Sequence, residues 1–171
     1  MNMRVIMASK DPVAIDTVQS CIVGVDPEKV NHLTDLARDG FGTINTSKIS
    51  VVGNVRVDEV KEPFGLPSGL LGLILSRGAR EAVYEDYEAP SLSVEEVAVE
   101  KNTMTAKLKT APKTTKVEMH IDGKLVETYN KGFDLLQYQL NGEISAGSHE
   151  LTFYAYDKLL NCGYETTKFT Y

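Results

Sequence analysis

The chain has 171 residues, 42% hydrophobic and 25% charged, which suits a soluble globular protein of one large or two small domains and excludes collagen-like, low-complexity and disulfide-dense classes. A formal net charge of −6, from 18 basic against 24 acidic residues, argues against a nucleic-acid-binding surface, which needs clustered Lys and Arg to neutralise phosphates. Two cysteines, Cys21 and Cys162, are too few to hold an iron–sulfur cluster and show no C-x-x-C spacing, so two free thiols and no cofactor in this chain are expected.

The first segment, Arg4-Val5-Ile6-Met7-Ala8, is a short apolar run that predicts a buried strand. It is too short for the apolar core of a secretory signal before Lys10-Asp11-Pro12 interrupts it. If the chain is complete, this predicts a cytoplasmic protein; if it is a fragment of a longer one, its start says nothing about export.

Asp11 and Pro12 predict a helix start, because Asp accepts backbone N–H bonds and Pro loses nothing at the first helical position. Ala14, Val18, Cys21 and Ile22 recur at helical spacing as its buried face, and Gly24 ends it. Asp26-Pro27-Glu28 repeats the start signal for a second helix carrying Val30, Leu33 and Ala37 on one face, ended by Gly40. Ile49-Ser50-Val51-Val52-Gly53 predicts a second strand. Residues 68–83 are expected to be helical, although Gly72 and Gly78 weaken that pattern. Leu70–Leu75, the most apolar stretch, is far shorter than the ~20 residues that cross a bilayer, so no membrane span is expected.

The acidic stretch Tyr84–Glu88 followed by Ala89-Pro90 reads as a linker. Beyond it the period changes to two. Val117, Met119 and Ile121 alternate with Glu118, His120 and Asp122, and Asp122-Gly123 is a hairpin turn signal. Leu125–Tyr129, Phe133–Leu140, His149–Tyr156 and Gly163–Tyr171 continue the series, with Leu92–Val99 and Met104–Leu108 before it. This count of short strands is that of an immunoglobulin-like sandwich. The expected fold class is thus a small, partial α/β unit over 1–88 followed by an all-β sandwich over 91–171.

Ala8-Ser9-Lys10-Asp11-Pro12-Val13-Ala14-Ile15-Asp16-Thr17-Val18, followed by Gly24-Val25-Asp26-Pro27-Glu28-Lys29-Val30, resembles the C-terminal part of the domain of unknown function 362 family, a bacterial and archaeal family often linked to ferredoxin-type iron–sulfur modules. The resemblance spans residues 3–60 and implies a strand, a D-P-V-A-x-D helix, a second short helix and another strand. Two departures stand out: the family has a long segment before this point, and its cysteine-rich pattern is missing here. The second half is similar to bacterial immunoglobulin-like modules through Asp122-Gly123-Lys124, Ala146-Gly147-Ser148-His149-Glu150-Leu151 and Ala155-Tyr156-Asp157-Lys158 with Asn161. That likeness implies a fold and no ligand.

Candidate chemistry is sparse. No G-x-S-x-G, H-E-x-x-H or glycine-rich phosphate loop occurs, and His32, His120 and His149 are scattered, so no catalytic residue and no metal site is expected. Asp11 and Asp16 are five apart and lie about 140° apart around a helix, which disfavours a shared metal. The strand-end loop Ser9-Lys10-Asp11, with Asp16, is the candidate ligand-binding site, because strand ends and helix N-termini favour ligands. Tyr154 and Tyr156 share a strand face and form a candidate interaction face. Two functions remain open: an accessory or interaction protein, or a ligand- or metal-binding part of an enzyme or iron–sulfur-associated protein using Lys10-Asp11 and Asp16. An incomplete first unit with exposed strand edges also predicts a homodimer through that unit, with a different protein partner as a further option.

Overall fold

A computed structural model describes residues 4–63, 83–84, 86–140, 142 and 144–171. The chain divides into two compact units, Met1–Glu88 and Ala89–Tyr171.

In the first unit, α1 (Pro12–Ile22) starts where Asp11 accepts from the Ala14 N–H at 2.8 Å, with Pro12 at the first helical position. It buries Val13, Ala14, Thr17, Val18, Cys21 and Ile22, one residue face wider than the Ala14–Val18–Cys21–Ile22 stripe. The second helix is split. Asp26 caps a single turn, Pro27–Lys29, by accepting from the Glu28 N–H at 3.1 Å. Val30 then turns extended and α2 (Asn31–Arg38) begins after it, with Leu33 buried and Leu36 exposed. A β-branched residue at the junction loses little by leaving the helix, so the start signal at Asp26 yields one turn only.

The two strands expected in this unit do not form. Among the described residues the first unit holds no strand beyond a single bridge between Val25 and Val83. Residues 4–8 and 50–55 make no backbone hydrogen bond to any described residue. A strand exists only through a partner's N–H and C=O groups, and hydrophobic pattern cannot supply that partner. The described part of this unit is therefore helical with segments outside helix and strand, and does not confirm an α/β unit. The helix expected over 68–83 and the apolar Leu70–Leu75 run fall almost wholly outside the described residues.

The second unit contains seven strands among the described residues: β1 (Leu92–Glu100), β2 (Thr103–Thr110), β3 (Lys116–Ile121), β4 (Lys124–Tyr129), β5 (Leu135–Gln139), β6 (Ser148–Tyr156) and β7 (Cys162–Thr170). They form two antiparallel sheets in the orders β1-β2-β5 and β4-β3-β6-β7. Two such sheets around one core, with β5 and β6 consecutive in sequence but in different sheets, make an immunoglobulin-like sandwich. Met104, Ala106, Leu108 and Leu136 come from one sheet, and Val117, Met119, Ile121, Leu151, Phe153, Ala155 and Phe169 from the other. The period of two that marks these residues in the sequence is the period of the inward face.

The turns explain the register. Asp122 and Gly123 both have positive φ, 49° and 78°, the backbone that a two-residue hairpin between β3 and β4 requires. Between β6 and β7 the carboxylate of Asp157, 1% exposed, accepts from the N–H groups of Leu159 at 2.9 Å and Asn161 at 3.0 Å and from Asn161 Nδ2 at 2.8 Å. These bonds close the loop that lets β7 return along β6. Asp157→Ala removes the acceptor of three buried hydrogen bonds and is expected to lower the stability of the second unit by about 3 kcal/mol, read from chemical denaturation. A loss below about 1 kcal/mol would show that the turn is held by other means.

Candidate functional site

The strand-end loop is built around helix capping. Asp11 Oδ1 accepts from Ala14 and Oδ2 accepts from the Thr43 N–H at 3.0 Å, so both carboxylate oxygens are engaged. A Cβ at Gly42 would collide with the Asp11 carboxylate, and a glycine there lets the chain approach it. Ser9 Oγ accepts from the Asp11 N–H at 3.0 Å. Lys10 and Asp16 are exposed on the surface. The structure brings Ser9 and Asp11 together through backbone capping. Asp16, a turn and a half further along α1, makes no side-chain bond to a described residue. Among the described residues no group of three or more His, Cys, Asp or Glu is close enough to share a metal ion.

Beside α1 lies a groove of about 210 Å³ whose walls include Val5, Met7, Val18, Val51, Val55 and Val60. It is also lined by residues of the two segments, 4–8 and 50–55, that make no backbone hydrogen bond to a described residue. Ile6 is 99% and Val52 83% exposed, and Val51 and Val55 are also exposed. Exposed apolar side chains and backbone groups with no partner among the described residues thus occupy the same place.

The tyrosine face of the second unit divides in two. Tyr154 belongs to a row of rings across β3, β6 and β7: its centroid is 4.8 Å from that of His120 and 5.7 Å from that of Tyr164. Tyr164 is exposed at the end of the row. Tyr156 is buried and donates its hydroxyl proton to Glu118 Oε2 at 3.2 Å.

Glu118 is the centre of a polar cluster that sequence reading missed. Lys116 Nζ lies 2.9 Å from Glu118 Oε1 and 4.5 Å from the centroid of the Tyr156 ring, and Lys116 is only 2% exposed. Burial alone pushes the Glu118 carboxyl up, but the His120 ring, Lys116 and Tyr156 outweigh it and hold it below its ordinary value. Burial pushes the Tyr156 hydroxyl up, reinforced by Cys162 and Glu118. The signal that could have found this cluster was present: Lys116, Glu118 and His120 alternate on β3 and so must share one face. Cys21 and Cys162 are both buried and not joined in a disulfide. No described helix is long and apolar enough to cross a membrane.

No family model matches the chain, so neither the resemblance of residues 3–60 to the domain of unknown function 362 nor an iron–sulfur association gains support. No curated protein matches it. Among solved structures, the fibronectin(III)-like modules of Clostridium thermocellum CbhA match at 15% identity and a TM-score of 0.39, covering 47% of this chain and 94% of theirs. The PKD1 domain of Vibrio anguillarum Epp matches at 10% identity and 0.38, covering 50% and 95%. The PKD1 domain of the Vibrio cholerae metalloprotease PrtV matches at 13% and 0.37, covering 48% and 96%. Likeness at this level carries no function across, and the sandwich assignment rests on the strand order itself.

Removing one partner of the buried pair tests its role. Glu118→Ala leaves Lys116 buried without its carboxylate and is expected to cost about 3–5 kcal/mol, whereas Lys116→Met combined with Glu118→Leu recovers most of that loss. Because the Glu118 value is lowered in the folded chain, its contribution is complete above its ordinary 4.5 and is lost as pH falls through the folded value. Denaturation series at pH 7 and pH 4 on the three chains check both statements.

Proposed function

We propose that this chain is an accessory or interaction protein that associates with a second copy of itself through its first unit. The observation that carries this reading is the pair of apolar segments, residues 4–8 with Val5 and Ile6 and residues 50–55 with Val51, Val52 and Val55, whose backbone groups have no partner among the described residues. A free strand edge is a template for another strand, and the strand supplied by a second copy has the same composition. Two-fold pairing gives the edge N–H and C=O groups their partners and removes Ile6 and Val52 from water. Each side chain so buried contributes about 1.5–3 kcal/mol before the cost of association.

Light scattering on the full chain across micromolar dilution tests this. The expected result is a mass near twice the 18.8 kDa of one chain, falling toward one chain on dilution. Lys on an exposed edge opposes strand addition, so Val52→Lys and Ile6→Lys are each expected to weaken the dimer by about ten-fold or more, roughly 1.4 kcal/mol, without lowering the melting temperature of the diluted chain. Tyr164→Ala is expected to leave association unchanged. A chain that stays monomeric at every concentration overturns the reading, and loss of the dimer in Tyr164→Ala alone moves the interface to the ring row.

A further inference from the structure

His149, at the start of β6, is 9% exposed and uses both ring nitrogens. Its Nδ1 lies 2.7 Å from Asp122 Oδ2, on the β3–β4 turn. Its Nε2 lies 2.8 Å from the backbone oxygen of Ser145, in the segment that leads into β6. An ionised carboxylate and a backbone carbonyl are acceptors with no proton to give. A neutral imidazole carries a single N–H, so it satisfies one of these partners and turns a lone pair toward the other. Only the imidazolium donates to both.

We propose that His149 is a proton-operated clasp: doubly protonated, it ties the Asp122-Gly123 turn and the Ile144–Gly147 segment to β6, and loss of one ring proton releases the segment.

The surroundings give the clasp something to act on. Asp122 is fixed on its other side, where Oδ1 accepts from the Glu150 N–H at 3.0 Å, so the turn stays anchored when the histidine changes charge. Gly147 exchanges backbone bonds of 2.8 and 2.9 Å with Tyr171, which anchors the far end of the segment. Between these anchors, Ser145 is held by the imidazole. A cavity of about 280 Å³ lies here, lined by Ile121, Asp122, Val126, Tyr138, Ile144 and His149, with Lys124 and Ser145 also on its wall. Three of its lining residues are the clasp itself, so release of Ser145 widens it.

The charged and titratable neighbours are few among the described residues. Asp122 faces the ring from the turn, and Lys124 from β4 and Tyr138 from β5 face the same cavity. From β7 comes the uncharged Phe169 ring, its centroid 5.5 Å away. Glu150 and Lys168 are cross-strand neighbours on the opposite sheet face. The Asp122 carboxylate first, then the Ser145 carbonyl, raise the His149 pKa above 6.5 against a smaller opposing effect of burial. His149 first, then the Glu150 N–H, lower that of Asp122 below 3.8. A raised folded value means the His149 contribution is complete below 6.5 and is lost as pH rises through the folded value. A lowered value means the Asp122 contribution is lost as pH falls through its own folded value. The clasp is closed between the two.

An NMR titration of the isotopically labelled full chain from pH 5 to pH 9 tests the proposal. Expected are two protonated ring nitrogens on His149 at neutral pH and a midpoint above that of an ordinary histidine. The amides of Gly123, Ser145, Ala146 and Gly147 are expected to shift with the same midpoint. Above it, hydrogen exchange at Ser145 and Ala146 should outpace the rise due to base catalysis by about ten-fold, whereas Gly123 and Gly147, held by their own anchors, should not. Asp122→Asn is expected to bring the midpoint down. An unprotonated ring nitrogen on His149 at pH 6, or segment amides that do not follow its titration, overturns the clasp. The wild-type titration decides this even if the variant does not fold.

Discussion

Extended backbone is stable only when another strand supplies its hydrogen-bond partners, and the two units of this chain meet that constraint differently. In the second unit, antiparallel pairing runs across β4-β3-β6-β7 and across β1-β2-β5, with register shifts only between Val94 and Glu96 and between Met119 and His120. Everything else there follows from it. Pairing fixes register, register sets alternation, and alternation places Phe153, Leu151 and Val117 in one core and Lys116, Glu118 and His120 on the other face. In the first unit, α1 closes its own hydrogen bonds and needs only a packing surface, whereas residues 4–8 and 50–55 lie outside helix and strand and have no backbone partner among the described residues. Similar apolar composition gives strands in one unit and, in the other, segments with no strand partner among the described residues. The difference lies in whether a neighbour exists.

Carboxylates do much of the remaining positioning. Asp11 joins the start of α1 to Thr43, Asp122 joins a hairpin turn to β6, and Asp157 closes the β6–β7 turn. Each accepts backbone N–H groups that a tight turn would otherwise leave unpaired, and bonds to an ionised acceptor are stronger than those to a neutral one. This explains how a chain with a net charge of −6 spends part of its acidic excess inside its folds. Glu118 differs, since its partners are side chains, and a buried pair of that kind fixes an arrangement more than it adds stability.

Legibility in the sequence followed the same line. The sandwich was visible strand by strand, because period-two alternation between turn signals reports a buried face directly, and Asp122-Gly123 carries its positive-φ turn in its composition. The α1 start was equally plain from Asp11-Pro12. What could not be read was any feature that depends on a distant partner. Arg4–Ala8 and Ile49–Gly53 have the composition of strands, but no local pattern says whether a neighbour is there. The bond from Thr43 to Asp11 spans 32 residues, and that from His149 to Asp122 spans 27. Tyr154 and Tyr156 were correctly placed on one face, yet their environments part according to what lies on β3 and β7, which alternation alone does not specify.

This separation also orders the candidate sites. Polar groups with every bond satisfied, such as Asp11, Asp157 and the Lys116–Glu118–Tyr156 cluster, hold the fold, because engaging a ligand would first require breaking bonds already made. Ser9 and Asp11 belong to that class, which weighs against the strand-end loop as a ready-made anion site. Groups that lack a partner are the ones with interaction energy still to give. The groove-lining segments of the first unit are of this kind among the described residues, with backbone donors and acceptors beside exposed valines. The His149 clasp stands between the classes: its bonds are complete in one protonation state and incomplete in the other. With no group of three or more His, Cys, Asp or Glu placed to hold a metal ion among the described residues, the backbone that lacks a partner among those residues and the conditionally satisfied imidazole are where the chain's physical chemistry leaves room for function.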